Sequence, residues 1–131
     1  MRQVANPWPF REFSKQDTSK MTDAPSPAIK NQTVANLAAA LLRRYGVKEV
    51  FGQSLPTLLH LANADIGIRQ ITYRTESSGA MMADGFARVS GRIGVVTAQN
   101  GPAATLLVPG MMEALTASVP MLALVQEVPR D

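Results

Sequence analysis

The feature that most constrains the fold is a set of apolar strand segments that recur between helical segments. The segment "MLALV" at 121–125 is apolar at every position, and "RIGVVTAQ" at 92–99 has an apolar, β-branched centre. Continuous apolar strands are typical of parallel sheets that are covered on both faces, because neither face then meets water. We therefore expect these strands in the interior of a layered α/β structure.

Helical and strand segments alternate from Thr33 onward. Thr33 is placed to cap a first helix that Gly46 ends, and Glu76 begins a longer helix that runs to about Val89. The predicted strands are "KEVFG", "IRQITYR", "RIGVVTAQ" and "VPMLALVQ", and the other helical segments are "LPTLLHLAN" and "AATLLVPGMMEALTAS". This order predicts an α/β fold with a doubly wound, mostly parallel sheet, helices on both faces and right-handed crossovers.

The domain organisation follows from length and composition. A sequence of 131 residues is expected to form one domain. Residues 1–32 have the composition of a flexible leader and are predicted to be disordered, whereas residues 33–131 form the α/β domain. The sequence ends at "VPRD", directly after a strand, so we expect the domain to be truncated there, incomplete at its C-terminus.

Composition excludes several classes of function. The sequence has no cysteine, which excludes disulfides, thiolate metal sites and cysteine nucleophiles. Five of the thirteen basic residues and three of the ten acidic ones lie in residues 1–32, which leaves eight and seven in the remainder. This near-neutral domain predicts no nucleic-acid partner. No run is apolar enough for a signal peptide or a membrane span, so we predict no membrane partner and a cytoplasmic location.

Three segments are expected to meet at one edge of the sheet. They are "GQSLP" at 52–56, "RTESS" at 74–78 and "QNGPA" at 99–103, and each follows a strand and opens a helix. Ligands of open α/β sheets bind at this edge. The phosphate loop, the dinucleotide fingerprint and the hydrolase Gly-x-Ser-x-Gly elbow are all missing. The single histidine, His60, lies in a short apolar helix, where a structural or surface role is favoured over catalysis.

Glu76 allows two interpretations. In the first, Thr75 caps the helix and Glu76 in the first turn is favoured by the helix dipole, by about 0.3–1 kcal/mol. In the second, the carboxylate faces a flat ligand, which the small neighbours Ser77, Ser78 and Gly79 would allow to approach. The pattern alone leaves both interpretations open.

Some residues within the predicted helices bear on packing. Met81, Met82, Met111 and Met112 are predicted to be packing residues. Gly85 interrupts a helix at a cost of about 1 kcal/mol relative to alanine. Close packing against another helix would account for this glycine, and a subunit interface is one candidate.

The stretch "TESSGAMMADGFARVSGRIGVVTAQNGPAATLLVPGMMEALTASVPMLALVQEVP" resembles the pyrimidine-binding, N-terminal domain of thiamin-diphosphate-dependent enzymes. The closest branch is acetolactate-synthase-like, and the resemblance covers roughly Thr33 to Pro129. It depends on a glutamate followed by "ADGFAR", with "NGPAAT" and "SVPMLAL" at the family's distances.

The resemblance implies roles for particular residues. Glu76 would be catalytic, since the matching glutamate hydrogen-bonds the pyrimidine nitrogen opposite the amino group and promotes the imino tautomer that activates the thiazolium carbon. The residues expected to bind the cofactor are Glu76, Gln53, Ser54, Gln99, Gly101 and Pro102. No metal ligand is expected in this chain.

The resemblance also implies a shared site. The family holds the diphosphate and its magnesium on a second domain, through a Gly-Asp-Gly stretch that this sequence lacks, and its sites form between subunits. We therefore expect half of a thiamin diphosphate enzyme acting on 2-oxo acids, an acetolactate-synthase-like carboligase or a decarboxylase. It would need a diphosphate-binding partner in a homo- or hetero-oligomer and would be inactive alone.

Two other readings of the sequence remain open. The chain could be a non-catalytic α/β remnant or interaction module that keeps the fold. An unrelated nucleotide-binding or flavodoxin-like domain is the third alternative, and the missing phosphate loop argues against it.

The sequence departs from the family at several positions near the expected site. Leu106 replaces a polar residue of the family's "GPGATN". Glu127 stands where synthases often have a glutamine, and Gln126 stands where glycine is usual. The segment "GQSLP" is shorter than the Pro-Gly loop of many relatives. These departures concern the reaction catalysed and not the match at Glu76.

Overall fold

Helices and strands alternate along the described part of the chain, except that two consecutive helices precede the last strand. The computed structural model describes residues 33–53 and 56–127. The elements are α1 (Val34–Arg44), β1 (Glu49–Phe51), α2 (Thr57–Asp65), β2 (Arg69–Ile71), α3 (Glu76–Ser90), β3 (Gly94–Ala98), α4 (Pro102–Leu106), α5 (Val108–Thr116) and β4 (Met121–Val125). The predicted order of elements is confirmed, and the predicted leader lies outside the described residues.

The strands form one sheet in the order β2-β1-β3-β4, and all neighbouring strands run parallel. The register of β1 and β2 pairs Val50 with Gln70, and that of β3 and β4 pairs Val96 with Ala123. The prediction of an α/β fold with a parallel sheet is therefore confirmed.

Different helices cover the two faces of this sheet. On one face, Val50 and Val95 pack with Leu42 of α1, and α2 lies on the same side. On the other face, Phe51 and Val96 pack against alanines of α3. The alternation of side chains along each strand sends neighbouring residues to opposite layers. Because both layers are covered, the strands are buried as their apolar sequences predict.

The ends of the first helix follow from local sequence. The Oγ1 atom of Thr33 accepts a hydrogen bond from the Asn36 amide at 3.2 Å, which confirms the predicted cap. The helix ends at Arg44, and Gly46, two residues later, has a φ of +78° that favours glycine. The Val47 amide then donates to the Leu42 carbonyl at 3.0 Å, which satisfies a carbonyl of the last turn.

Small residues allow α3 and α5 to pack closely. A Cβ atom at Gly110 would lie 2.5 Å from Cβ of Ala80, so only glycine fits there. The buried Asp84 pairs with Arg88 at 2.8 Å, and Arg88 reaches Glu113 of α5 at 3.3 Å. The two helices are thus held together by close main-chain packing at Gly110 and by the salt bridge between Arg88 and Glu113.

The methionines do not all pack as the sequence predicts. Met111 is partly buried against the core, but Met81, Met82 and Met112 are 45%, 39% and 51% exposed. The prediction of packing is therefore wrong within this chain for these three residues. For Met81 and Met82 the reason is that α3 buries Ala80, Ala83 and Ala87, which leaves these two methionines on its exposed side.

Candidate functional site at the carboxyl edge of the sheet

The loops that follow β1 and β3 leave the sheet toward opposite faces. The segment after β1 leads to α2, and the segment after β3 leads to α4 and α5, which lie on the α3 side. Since β1 and β3 are neighbours, their carboxyl ends form the position at which doubly wound sheets generally have a binding crevice. The loop from β2 to α3 ends at the same edge. The described residues of the three predicted segments therefore share one edge, and Ser54 and Leu55 lie outside the described residues.

Glu76 is the first residue of α3. The helix start is fixed by a capping box, in which the Ser78 amide donates to Thr75 Oγ1 and the Thr75 amide donates to Ser78 Oγ, both at 3.3 Å. Glu76 is partly buried, and its carboxylate makes no hydrogen bond or ion pair with the described residues. It is therefore a hydrogen-bond acceptor held at the helix start.

Two glutamine side chains join the loops that follow β1 and β2. Nε2 of Gln53 donates to the Arg74 carbonyl oxygen at 3.0 Å. In the opposite direction, Nε2 of Gln70 donates to the Gly52 carbonyl oxygen at 2.9 Å and also to that of Gln53. These bonds brace the segment that leads to Glu76. Gln53 thus has a structural contact here, and its predicted cofactor contact stays a prediction.

Tyr73 anchors the same segment to the middle of the sheet. Its side chain is 8% exposed, and its hydroxyl donates to the Thr97 carbonyl oxygen at 2.6 Å. A Cβ atom at Gly79 would lie 2.5 Å from Cε1 of the ring, so the missing side chain of Gly79 makes room for the ring. Burial raises the pKa of Tyr73 above 10.0, and the negative charge of Glu76 raises it further.

Replacing Glu76 by glutamine is expected to lower the pKa of Tyr73, since the substitution removes the negative charge. The pKa should stay above 10.0 because the burial remains. A pH titration followed by ¹³C NMR of the tyrosine ζ carbons measures this, with the exposed Tyr45 as reference signal. An unchanged Tyr73 titration would show that the carboxylate does not lie beside the phenol.

The raised pKa of Tyr73 also determines how this residue makes the folding stability depend on pH. The stabilisation from neutral Tyr73 is complete below the unfolded-state pKa near 10.0 and is lost as pH rises through the higher folded-state value. The alkaline loss of stability should therefore be smaller in Tyr73→Phe than in the unsubstituted chain.

The loop after β3 forms the other side of the crevice. Gln99 is exposed at the end of β3, and Gly101 has φ +62° and ψ −130°, a conformation that needs glycine. Pro102 begins α4, as predicted, and offers ring surface but no N–H. The cofactor contacts predicted for these residues stay predictions.

One hydrogen bond links the start of α3 to the end of α4. Oγ of Ser77 donates to the carbonyl oxygen of Leu106 at 2.7 Å. Leu106, which replaces a polar residue of the family, lies at the surface with its side chain 47% exposed. The main chain of Leu106 therefore contributes to placing the turn that carries Glu76.

Three sets of contacts at this edge could not be predicted from the sequence. Tyr73, Gln70 and Ser77 all hold the Glu76 segment through bonds to distant main-chain atoms. The spacing of Tyr73 three residues before Glu76 and of Gly79 three residues after it could have predicted that the tyrosine ring packs against the start of the helix. The glutamine in the β2 strand carried no such signal.

Other chemistry is limited in the described part of the chain. Residues 33–53 and 56–127 contain no group of three or more His, Asp or Glu side chains that could hold a metal ion. His60 is buried, with Nε2 3.3 Å from Oγ1 of Thr97. No helix in these ranges is long and apolar enough to cross a membrane.

Comparison with known proteins identifies the family. The family model described as "Thiamine pyrophosphate enzyme, N-terminal TPP binding domain" matches residues 32–131. The chain therefore belongs to this family of thiamine pyrophosphate (thiamin diphosphate) enzymes. The resemblance that the sequence motifs predict is confirmed.

Among curated proteins, the chain is similar to acetolactate synthases. It is 39% identical over 107 residues to the acetolactate synthase large subunit of Parasynechococcus marenigrum (strain WH8102). It is also 39% identical over 110 residues to acetolactate synthase of Arthrospira platensis. These matches cover 76% and 79% of this chain but 17% and 19% of the relatives. The chain thus spans less than a fifth of their length.

A solved structure shares the fold. An X-ray structure of a Mycobacterium smegmatis protein, assigned to the thiamin diphosphate-dependent enzymes, matches with a TM-score of 0.66 and 24% identity. The match covers 76% of this chain and 20% of that one. At this identity the likeness shows the fold alone.

Proposed function

We propose that this chain is the pyrimidine-binding half of a thiamin-diphosphate-dependent enzyme that acts on 2-oxo acids, in the manner of an acetolactate-synthase-like carboligase or a decarboxylase. The observation that carries the proposal is Glu76, a partly buried carboxylate without a partner among the described residues. It lies at a helix start beside the crevice of the sheet. Family membership supports thiamin diphosphate as the ligand.

The residues at this edge fit a pyrimidine ring. The Glu76 carboxylate can accept a hydrogen bond from a protonated ring nitrogen and thereby hold the proton there. The exposed amide of Gln99 and the main chain around Gly101 offer donors and acceptors on the other side of the crevice. When bound, the cofactor supplies the nucleophilic carbon that adds to the carbonyl group of a 2-oxo acid.

The described residues do not offer a comparable site for the diphosphate. They include no cluster of three potential metal ligands, and magnesium normally holds phosphates through carboxylates. We propose that a partner domain or subunit binds the diphosphate and its magnesium. The isolated chain is then inactive, and its cytoplasmic location stays a prediction.

The outer face of α3 is suited to contact that partner. Met81, Met82, Gly85 and Val89 lie on one side of the helix, and Val89 is 90% exposed. A Cβ atom at Gly85 would have no neighbour within 4 Å, so packing inside this chain does not require a glycine there. An uncharged helix face with a small residue at its centre permits close approach of another helix. The diphosphate-binding partner is the occupant that we propose.

Replacing Gly85 by alanine is expected to stabilise the isolated chain and to weaken its association with the partner. Alanine favours the helix by about 1 kcal/mol and meets nothing in this chain. Thermal unfolding of the isolated chain and a titration of the partner measure the two effects. Unchanged or tighter association would exclude a close contact at Gly85.

Calorimetric titration of thiamin diphosphate with magnesium tests the proposed function. The titration is run on the chain alone and on its mixture with a candidate diphosphate-binding domain. Heat only in the mixture, with weaker binding in Glu76→Gln and unchanged binding in Asp65→Asn, is the expected result. Asp65 is a matched control because its exposed carboxylate lies at the end of α2, away from the site. Absence of binding in every mixture would favour the non-catalytic remnant.

A further inference from the structure

We infer that Tyr73 is a positioning residue that fixes the Glu76 carboxylate relative to the carboxyl end of β3. The inference rests on the proposed function, since it assigns Tyr73 a part in holding the residue that would contact the pyrimidine. Tyr73 is not itself taken to touch the cofactor or the reacting atoms.

The Tyr73 side chain reaches across strand β1 to β3. Tyr73 follows β2, whereas its acceptor Thr97 belongs to β3, and β1 lies between these two strands. The Tyr73 side chain and its hydrogen bond together therefore reach across β1, over two strand spacings of roughly 9.5 Å in total. Thr97 is fully buried, and its carbonyl needs a donor in the absence of water. The phenol supplies this donor and joins the Glu76 segment to the strand that ends at Gln99.

The ring of Tyr73 also fixes the first turn of α3. Gly79 lies one turn after Glu76, and the ring occupies the space that a side chain at Gly79 would fill. Phe51 and Ala80 belong to the same buried cluster as the ring. The ring therefore leaves the first turn little freedom to shift along the sheet edge.

Two further hydrogen bonds hold the residues next to Glu76. Gln53 holds the Arg74 carbonyl, and Ser77 holds the Leu106 carbonyl. In the sequence, Glu76 is therefore flanked by Tyr73 and Arg74 on one side and by Ser77 on the other, and each of these three residues makes a hydrogen bond to a distant part of the chain. The electrostatic effect of the Glu76 charge on the pKa of Tyr73 agrees with this proximity. Removal of the Tyr73 hydroxyl should loosen the segment without removing any charge or apolar surface.

The test compares Tyr73→Phe with the control Tyr45→Phe in two measurements. Tyr45 is an exposed tyrosine at the end of α1, so the control makes the same chemical change away from the site. The first measurement is amide hydrogen exchange of the chain without cofactor. We expect exchange at residues 74–78 to accelerate at least about tenfold in Tyr73→Phe, with β4 unchanged.

The second measurement is the affinity for thiamin diphosphate with magnesium in the mixture with the partner domain. We expect affinity to fall roughly tenfold in Tyr73→Phe, as for loss of other residues that orient a ligand contact, and to stay unchanged in Tyr45→Phe. Circular dichroism and thermal unfolding of Tyr73→Phe check that the variant folds, because phenylalanine keeps the ring that fills the space beside Gly79.

The outcomes separate this inference from the proposed function. Binding by the unsubstituted mixture with equal binding by Tyr73→Phe overturns the positioning role and leaves the proposed function intact. Failure of the unsubstituted mixture to bind overturns both, and faster exchange in Tyr73→Phe would then reflect a structural role only.

Discussion

Replacement of Glu76 by glutamine lowers turnover of the assembled enzyme by at least about 100-fold, if the carboxylate acts on a proton of the cofactor as proposed. Glutamine keeps the size and reach of glutamate but carries no negative charge and cannot hold the proton at the ring nitrogen. The change should not disturb the fold, because the Thr75 and Ser78 capping bonds remain and only a helix-dipole contribution of about 0.3–1 kcal/mol is lost.

Steady-state turnover of a 2-oxo acid by the chain and its partner measures this effect, with circular dichroism as the check on folding. Asp65→Asn makes the same carboxylate-to-amide change on an exposed residue at the end of α2 and should retain full turnover. Near-normal turnover in Glu76→Gln would restrict Glu76 to its role at the helix start.

Replacement of Gly94 by alanine is expected to cause a large loss of stability. Gly94 begins β3, and an added Cβ atom would overlap the carbonyl oxygen of Ala83 and lie 2.9 Å from its carbonyl carbon. The obstacle is main chain of α3, which cannot rotate away as a flexible side chain could. We expect a cost of about 3 kcal/mol, near the upper end for overpacking.

Chemical unfolding of the isolated chain measures this loss, and Gly85→Ala is the matched control. The control adds the same methyl group to α3 where nothing lies within 4 Å, so the two variants should change stability in opposite directions. Equal stabilities for Gly94→Ala and the unsubstituted chain would show that α3 can move away from the sheet at little cost.

Local sequence was sufficient to predict the elements because their determinants lie close together in the chain. The cap at Thr33, the left-handed glycine at Gly46 and the apolar run of β4 each act within a few residues. The start of α3 at Glu76 follows from Thr75 and Ser78 in the same way. The position of Glu76 at the sheet edge could therefore be predicted, whereas its contact with a cofactor stays a prediction.

The support around Glu76 could not be predicted, because it depends on strand order. The bond from Tyr73 to Thr97 joins residues 24 positions apart, and that from Gln53 to Arg74 joins residues 21 apart. Neither pairing is visible until β1 is placed between β2 and β3. The exposure of Met81 and Met82 could not be predicted for a related reason, since the spacing of apolar residues does not reveal which face of the helix contacts the sheet.

The most direct test of the central claim is ¹⁵N NMR of thiamin diphosphate labelled at the pyrimidine nitrogen opposite the amino group. The spectrum is recorded on the chain with its partner, at saturating cofactor, for the unsubstituted protein and for Glu76→Gln. The proposed function predicts that the nitrogen signal shifts on binding to the unsubstituted protein and stays near its free position in Glu76→Gln. Identical shifts in both proteins would contradict a contact between Glu76 and the pyrimidine.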